Sequence, residues 1–243
     1  MDLSRQVSRA IKHFWKVRME QQDRQGIHLT PKDRGNRAAV TGRKHLDGFI
    51  ELLNKILFES GLPKTTIHSD ATTLPGYYRP TKGWDLVVVS EDCLLATIEL
   101  KSHIGPSFGN NFNNRTEEAL GSSADLLTAY REGKFRPSPK PWMGWFMLLE
   151  DCPGSSSPVR VDEPYFDVFP EFKQSSYLKR YEILCHRLLR ERLYDGVCLL
   201  LTRREAGLKG HFTEPDAELS FNRFAASLIA HVTACARLGI IQT

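Results

Sequence analysis

Several things are missing from this chain of 243 residues, and each absence removes a class of protein. No apolar run approaches the eighteen or so residues that a membrane span requires, so no membrane partner is expected. The first fifteen residues carry charges throughout and no apolar stretch of the kind a secretory signal needs. Cysteines are few and unpaired: Cys93, Cys152, Cys185, Cys198 and Cys235 form an odd, scattered set with no CxxC pairs. That argues against a structural zinc site. Four of them lie among apolar residues and read as small core side chains in a reducing cytosol, while Cys152, before Pro153-Gly154, reads as a loop residue. There is no internal repeat, no low-complexity tract and no strong net charge, the balance being +4.

What is present is an ordinary globular composition, 41% hydrophobic and 26% charged, enough to bury one sizeable core. The charge is unevenly placed. Residues 1–46 carry a net +7 and the remainder −3, and a basic N-terminal portion on a near-neutral body suits phosphate binding as well as it suits a solvated helix. One domain is expected over 1–243, with a basic helix and arm (1–43), a core (44–202) and a C-terminal helical part (203–243). Apolar periodicity predicts helices over 3–22, 44–60, 115–132, 175–193 and 217–238, and strands over 86–89, 93–100, 142–149 and 197–201. Residues 23–42 read as a basic loop, 105–114 as a Gly/Asn loop, and 151–172 as irregular. Helices and strands in this order predict an α/β layered domain with a central sheet flanked by helices.

The chemistry concentrates on two adjacent strands. Asp85 opens the first; Glu99 and Lys101 lie on the second. Alternation predicts Leu94, Ala96, Ile98 and Leu100 on one face, with Glu99 and Lys101 side by side on the other. An exposed salt bridge would give the same pattern. Two carboxylates, with the Leu100 backbone carbonyl as a further oxygen, form a donor set for a hard divalent ion such as Mg2+. A lysine beside it can orient or deprotonate water, or neutralise developing charge. A two-residue turn at Glu91-Asp92 would put Asp85 opposite Ile98, on the wrong face, so an odd-numbered loop or a bulge is predicted. Asp47 and Glu51, four apart on the second helix, suit a supporting carboxylate or a solvated face.

Two long runs, Leu74-Pro-Gly-Tyr-Tyr-Arg-Pro-Thr-Lys-Gly-Trp-Asp85 and Glu99-Leu-Lys-Ser-His-Ile-Gly-Pro-Ser-Phe-Gly-Asn-Asn-Phe-Asn-Asn-Arg-Thr-Glu-Glu118, resemble the XhoI family of type II restriction endonucleases. Shorter runs, including Leu46-Asp-Gly-Phe49 and Ser176-Tyr-Leu-Lys-Arg-Tyr-Glu182, extend the likeness over roughly residues 40–190. The resemblance implies a PD-(D/E)xK nuclease fold, Mg2+ dependence, a homodimer, and the double-stranded target CTCGAG, cut after the first C to leave four-base 5′ overhangs. It carries the catalytic roles onto Asp85, Glu99 and Lys101. Trp84 departs from the proline of the superfamily's motif. A bacterial cytoplasmic setting follows, as does a partner methyltransferase without direct contact.

Base edges are read by groups such as those of Asn110, Asn111, Asn113, Asn114 and Arg115, which equally suit a turn capping the helix that follows. Lys173, Lys179, Arg180, Arg187, Arg190 and Arg192 suit phosphates or a solvated face. For His103 a structural hydrogen bond is expected, with support of the site as the alternative. Two other functions compete: a structure-specific repair or recombination nuclease, and a DNA-binding protein without catalysis.

Overall fold

The computed structural model describes residues 3–25 and 44–241. Most of the predicted basic loop lies outside the described residues, and its first three positions continue helix α1, Leu3–Gln25. Helix α2, Asp47–Glu59, follows one 3-10 turn. The chain then forms β1 (Ile67–His68), a small hairpin of β2 (Thr73–Pro75) and β3 (Thr81–Gly83), β4 (Leu86–Ser90), β5 (Cys93–His103), α3 (Phe108–Arg131) and β6 (Trp142–Glu150). After the short α4 (Pro153–Ser156) come α5 (Tyr177–Arg190), β7 (Gly196–Thr202), the short α6 (Arg204–Leu208) and α7 (Phe221–Arg237). β1, β2, β3, α4 and α6, two to five residues each, were not predicted; such short elements carry no readable period.

Five strands form one mixed sheet in the order β1-β4-β5-β6-β7. β1, β4 and β5 run antiparallel, whereas β5, β6 and β7 are parallel, with α3 and α5 lying in the two crossovers. Both faces are covered, which is why β6 and β7 read as unbroken apolar runs. Trp142, Phe146 and Leu148 enter a core shared with α1, α2 and α7. Met143, Trp145, Met147 and Leu149 enter a second core shared with α3 and α5.

The turn between β4 and β5 has two residues, Glu91-Asp92, with Glu91 in the left-handed region at φ 51°. Left alone, it would put Asp85 on the wrong face. A bulge corrects this: Val89 pairs with Leu94 but Val88 with Ala96, so Leu95 is the extra residue. Beyond it the register runs Val87 to Thr97 and Leu86 to Ile98. Leu95 and Ala96 both enter the first core opposite Val88, and Leu94 turns to the second. The expected common face of Leu94 with Ala96, Ile98 and Leu100 is therefore corrected for Leu94.

The helix after β5 begins seven residues earlier than predicted. Asn110, Asn111, Asn113 and Asn114 lie in the first two turns of α3 and form no loop. Poor local propensity is overridden by packing, because Phe108 and Phe112 on this segment sit against Tyr177 and Tyr181 of α5.

Gly144 and Gly196 are register partners on β6 and β7, and together they make room for the Trp142 indole, whose Nε1 donates to Ser227 Oγ at 2.9 Å. A Cβ on Gly196 would overlap that ring. Gly196→Ala should lower unfolding stability by about 1–3 kcal/mol, the usual cost of overpacking, as read by a shift in denaturant midpoint.

Candidate active site

The sheet forks at Asp85. β4 ends at the pair Leu86–Ile98, and β5 runs on to His103 with no strand on that edge among the described residues. Asp85 donates its N–H to the Ile98 carbonyl at 3.1 Å, and its Oδ2 accepts the Leu100 N–H at 2.8 Å. The carboxylate thus substitutes for the missing strand. Because a strand residue turns its N–H and C=O to the same edge, the Leu100 carbonyl belongs to this open edge too.

Glu99 is buried, at 4% exposure, and is held between two ammonium groups. Oε1 is paired with Lys101 Nζ, and Oε2 accepts from Lys82 Nζ at 2.6 Å. Burial alone would raise the Glu99 pKa, but Lys101 and Lys82 outweigh it and hold the carboxyl below its ordinary range. Lys101 is the mirror case. Burial works against its charge, yet Glu99, with Glu118 and Asp85 further off, keeps it protonated above the ordinary lysine range. Glu118 Oε2 lies 3.5 Å from Lys101 Nζ and 2.6 Å from Arg115 Nη1.

Asp85, Leu100 and Lys101 line one wall of a cavity of about 560 Å³. Asp47, Ile50, Glu51 and Asn54 of α2 line another, and Arg18, His45, Asp70, Ser102 and Arg115 complete most of the rest. The two α2 carboxylates, read from the sequence as supporting groups or as a solvated face, are exposed and also border the same space as the catalytic candidates. Burial, with Glu51 nearby, raises the Asp47 pKa. As a donor set, Asp85 and Glu99 carboxylates with the Leu100 carbonyl are all hard oxygens, which fits Mg2+. The fit is qualified in one respect: both Glu99 oxygens already carry ammonium partners, so an ion would compete with Lys82 for Oε2.

His103 stands apart from that cavity. Its Nδ1 meets Tyr181 Oη at 2.8 Å, Nε2 meets the Ser107 carbonyl at 3.3 Å, and its ring lies on Phe108. Burial, the largest cause, moves its pKa down to about 4 despite the Ser107 carbonyl, so it is a neutral structural histidine. On α3, Asn110, Asn113 and Asn114 are exposed, Asn111 is half-buried, and Arg115 turns to the cavity. Half of the later basic cluster is paired with acids, Lys173 with Glu163 and Asp167, Lys179 with Glu182 and Arg187 with Glu171, while Arg180 donates to Ser175 Oγ and the Val159 carbonyl.

Sequence reasoning missed Lys82, Arg18 and Glu118. Lys82 stands on β3, its Nζ 4.3 Å from the centre of the buried Trp84 ring. What holds its hairpin is Asp125 of α3, whose Oδ1 accepts the N–H groups of Tyr77 and Tyr78 at 2.7 Å and whose Oδ2 accepts Arg79 Nε at 2.7 Å.

A mixed sheet covered by helices on both faces, forked to hold an aspartate beside a Glu-x-Lys strand, defines a nuclease core of the restriction-endonuclease class. The sequence model described as restriction endonuclease XhoI matches residues 22–214. The type II restriction enzyme BstVI of Geobacillus stearothermophilus is 51% identical over 213 residues, 85% of this chain and 95% of that protein. The type II restriction enzyme XhoI of Xanthomonas vasicola is 50% identical over 158 residues, 64% of each chain. The type II restriction enzyme AbrI of Azospirillum brasilense is 46% identical over 167 residues, 68% of this chain and 74% of that one. No solved structure gives a significant match. The chain belongs to the XhoI family of restriction endonucleases.

Removing Asp125 should loosen the hairpin and with it the hold on Glu99. Asp125→Ala is expected to cost about 2 kcal/mol in chemical unfolding, the range for hydrogen bonds to a charged group, and to slow DNA cleavage. Burial raises the Asp125 pKa, but Arg79 and the two amides outweigh it, so the folded value is depressed. Its contribution is therefore complete above the ordinary carboxylate range and is lost as pH falls through the depressed value. Unfolding measured from pH 7 to pH 3 should find the gap between the parent chain and Asp125→Ala closing only at the acid end.

Proposed function

We propose that this protein is a type II restriction endonuclease that hydrolyses double-stranded DNA at the palindrome CTCGAG, after the first C, leaving four-base 5′ overhangs. The observation that carries the reading is the meeting of Asp85, Glu99 and Lys101 at the fork of the sheet, in a chain of the XhoI family. Mg2+ is the cofactor of this reading. Asp85, Glu99 and the Leu100 carbonyl would hold it, and when bound it supplies positive charge to the phosphate and lowers the pKa of a water.

The chain's own groups do the rest. Lys101, paired with Glu99, puts Nζ where it can donate to the charge developing on the phosphate or orient the attacking water. Asp47 and Glu51 border the cavity as supporting carboxylates that order water. The exposed face of α3 with Asn110, Asn113 and Asn114 offers amides to base edges, with Asn111 and Arg115 beside it. A palindrome read by identical contacts on both half-sites calls for a homodimer. Residues 1–243 work in this reading as one nuclease domain in a bacterial cytoplasm, beside a methyltransferase that protects host sites without touching the nuclease. Among the described residues no helix is long and apolar enough to cross a membrane.

The test is digestion of a long natural duplex with Mg2+ or with EDTA, beside Lys101→Ala. Discrete fragments ending in the CTCGAG overhang are expected, absent with EDTA and slowed by on the order of 10²–10³-fold or more in the variant. Discrete fragments at another sequence would discard the target. Cleavage only at flaps or junctions would make the protein a structure-specific nuclease, and binding without any cleavage a non-catalytic DNA-binding protein.

A further inference from the structure

Besides the amide oxygen of Asn54, three nitrogen atoms of residues that line the cavity beside Lys101 are buried and have no hydrogen-bond partner among the described residues: Nε of Arg18, Nδ1 of His45 and Nε of Arg115. They come from three separate elements. Arg18 is on α1, His45 on the 3-10 turn before α2, and Arg115 on α3. Native proteins seldom leave buried polar atoms unpaired, and three around one cavity are unlike an accident of packing. His45 Nε2 lies 2.9 Å from Ser102 Oγ; with that hydroxyl donating, Nδ1 carries the proton and becomes a third N–H donor.

The lining carries both signs, Arg18, Lys101 and Arg115 beside Asp47, Glu51, Asp70 and Asp85, so the place of each donor matters. Burial is the largest influence on His45, followed by Arg18 and then Arg115, and together they bring its pKa down to about 3, so the ring is neutral. Burial also works against the Arg18 charge, and Glu150 offsets this only in part. Glu150 is itself occupied, its Oε2 accepting the Gly105 N–H at 3.0 Å. Arg115 gives one arm to Glu118 and keeps Nε for the cavity. Lys101 lines the same space, so the unpaired donors stand beside the catalytic strand.

We propose that Arg18, His45 and Arg115 form a subsite for one backbone phosphate of the bound DNA, next to the phosphate that is cut, and that α1 is thereby part of the active site. Two guanidinium groups and an imidazole N–H suit a tetrahedral oxyanion, which accepts several charge-assisted hydrogen bonds at once. They are ill suited to a metal ion. Arg18 lies outside the residues that the family model matches, so nothing in the family match assigns it. The proposal rests on the endonuclease reading, because it takes the ligand to be DNA.

Equilibrium binding of a duplex with CTCGAG and of one without it, in EDTA and across a salt series, tests this on the full chain. Arg18→Gln is expected to weaken both duplexes alike, by roughly tenfold, and to reduce the slope of log K against log salt by about one. In turnover with Mg2+, KM should rise more than kcat falls. Unchanged affinity and slope would overturn the subsite, and so would a loss confined to the CTCGAG duplex, which marks base reading. Should Arg18→Gln fail to fold, the parent chain decides: inorganic phosphate, against chloride at equal ionic strength, should raise its melting temperature, and no rise overturns the proposal. If the parent chain binds no DNA at all, the endonuclease reading itself falls; if it binds and cuts while Arg18→Gln matches it, only the subsite does.

Discussion

One extra residue in a strand decides whether Asp85 shares a face with Glu99 and Lys101. In an antiparallel pair the side chains alternate, so the turn length fixes which residues share a face. The two-residue turn at Glu91-Asp92 leaves Asp85 facing away from Glu99, and the bulge at Leu95 turns it back. The cost of a bulge is a break in the ladder and a side chain that must find a new place. Here that place is already apolar, since Leu95 and Ala96 both enter the first core. The bulge is thus stabilised by packing and used by chemistry, two links of one chain of causes.

A second constraint follows from burying Glu99. An isolated carboxylate in such a site would take up a proton rather than stay charged. Lys82 and Lys101 prevent that, but only one of them comes from the same strand. The other must be delivered by the β2–β3 hairpin, which stays in place because Asp125 gathers two of its amides and Arg79. Stability and ionisation at the site are therefore coupled across α3, and the approach of a cation to Glu99 is opposed by Lys82 until that ammonium yields its oxygen.

The central strands, the helices that cover them, and the Asp85, Glu99, Lys101 set were legible because they rest on local periodicity. The strand between Leu94 and Leu100 had the right length and the right polar pair, and parity required an odd-numbered loop or a bulge, yet nothing in Leu94-Leu95-Ala96 told that a bulge would form there or which residue would be extra. All three are apolar, and the choice is made by the shape of two cores. The start of α3 was misread for a related reason. Glycine and asparagine oppose a helix locally, but Phe108 and Phe112 are fixed against α5, and that tertiary term wins. Lys82 and Arg18 had no local signal at all. Lys82 acquires its meaning from its ion pair with Glu99 on β5, and Arg18 from the cavity lining it shares with Lys101.

In the N-terminal helix an uneven charge distribution is combined with a packed apolar face. A basic segment needs no fixed structure to attract DNA, because long-range attraction depends on net charge alone. α1 is not built that way. Val7, Ile11, Phe14 and Trp15 are buried in the first core, and Trp15 Nε1 donates to Thr202 Oγ1 of β7 at 3.1 Å. Arg18 follows Phe14 by four residues and Trp15 by three, so it rises from the anchored side of the helix rather than from its wet face. A guanidinium carried on so rigid a base loses little freedom when a ligand arrives, and its position relative to Lys101 is set by the same core that holds the sheet. The placement of that charge, more than its amount, is what the packing of α1 contributes to the cavity.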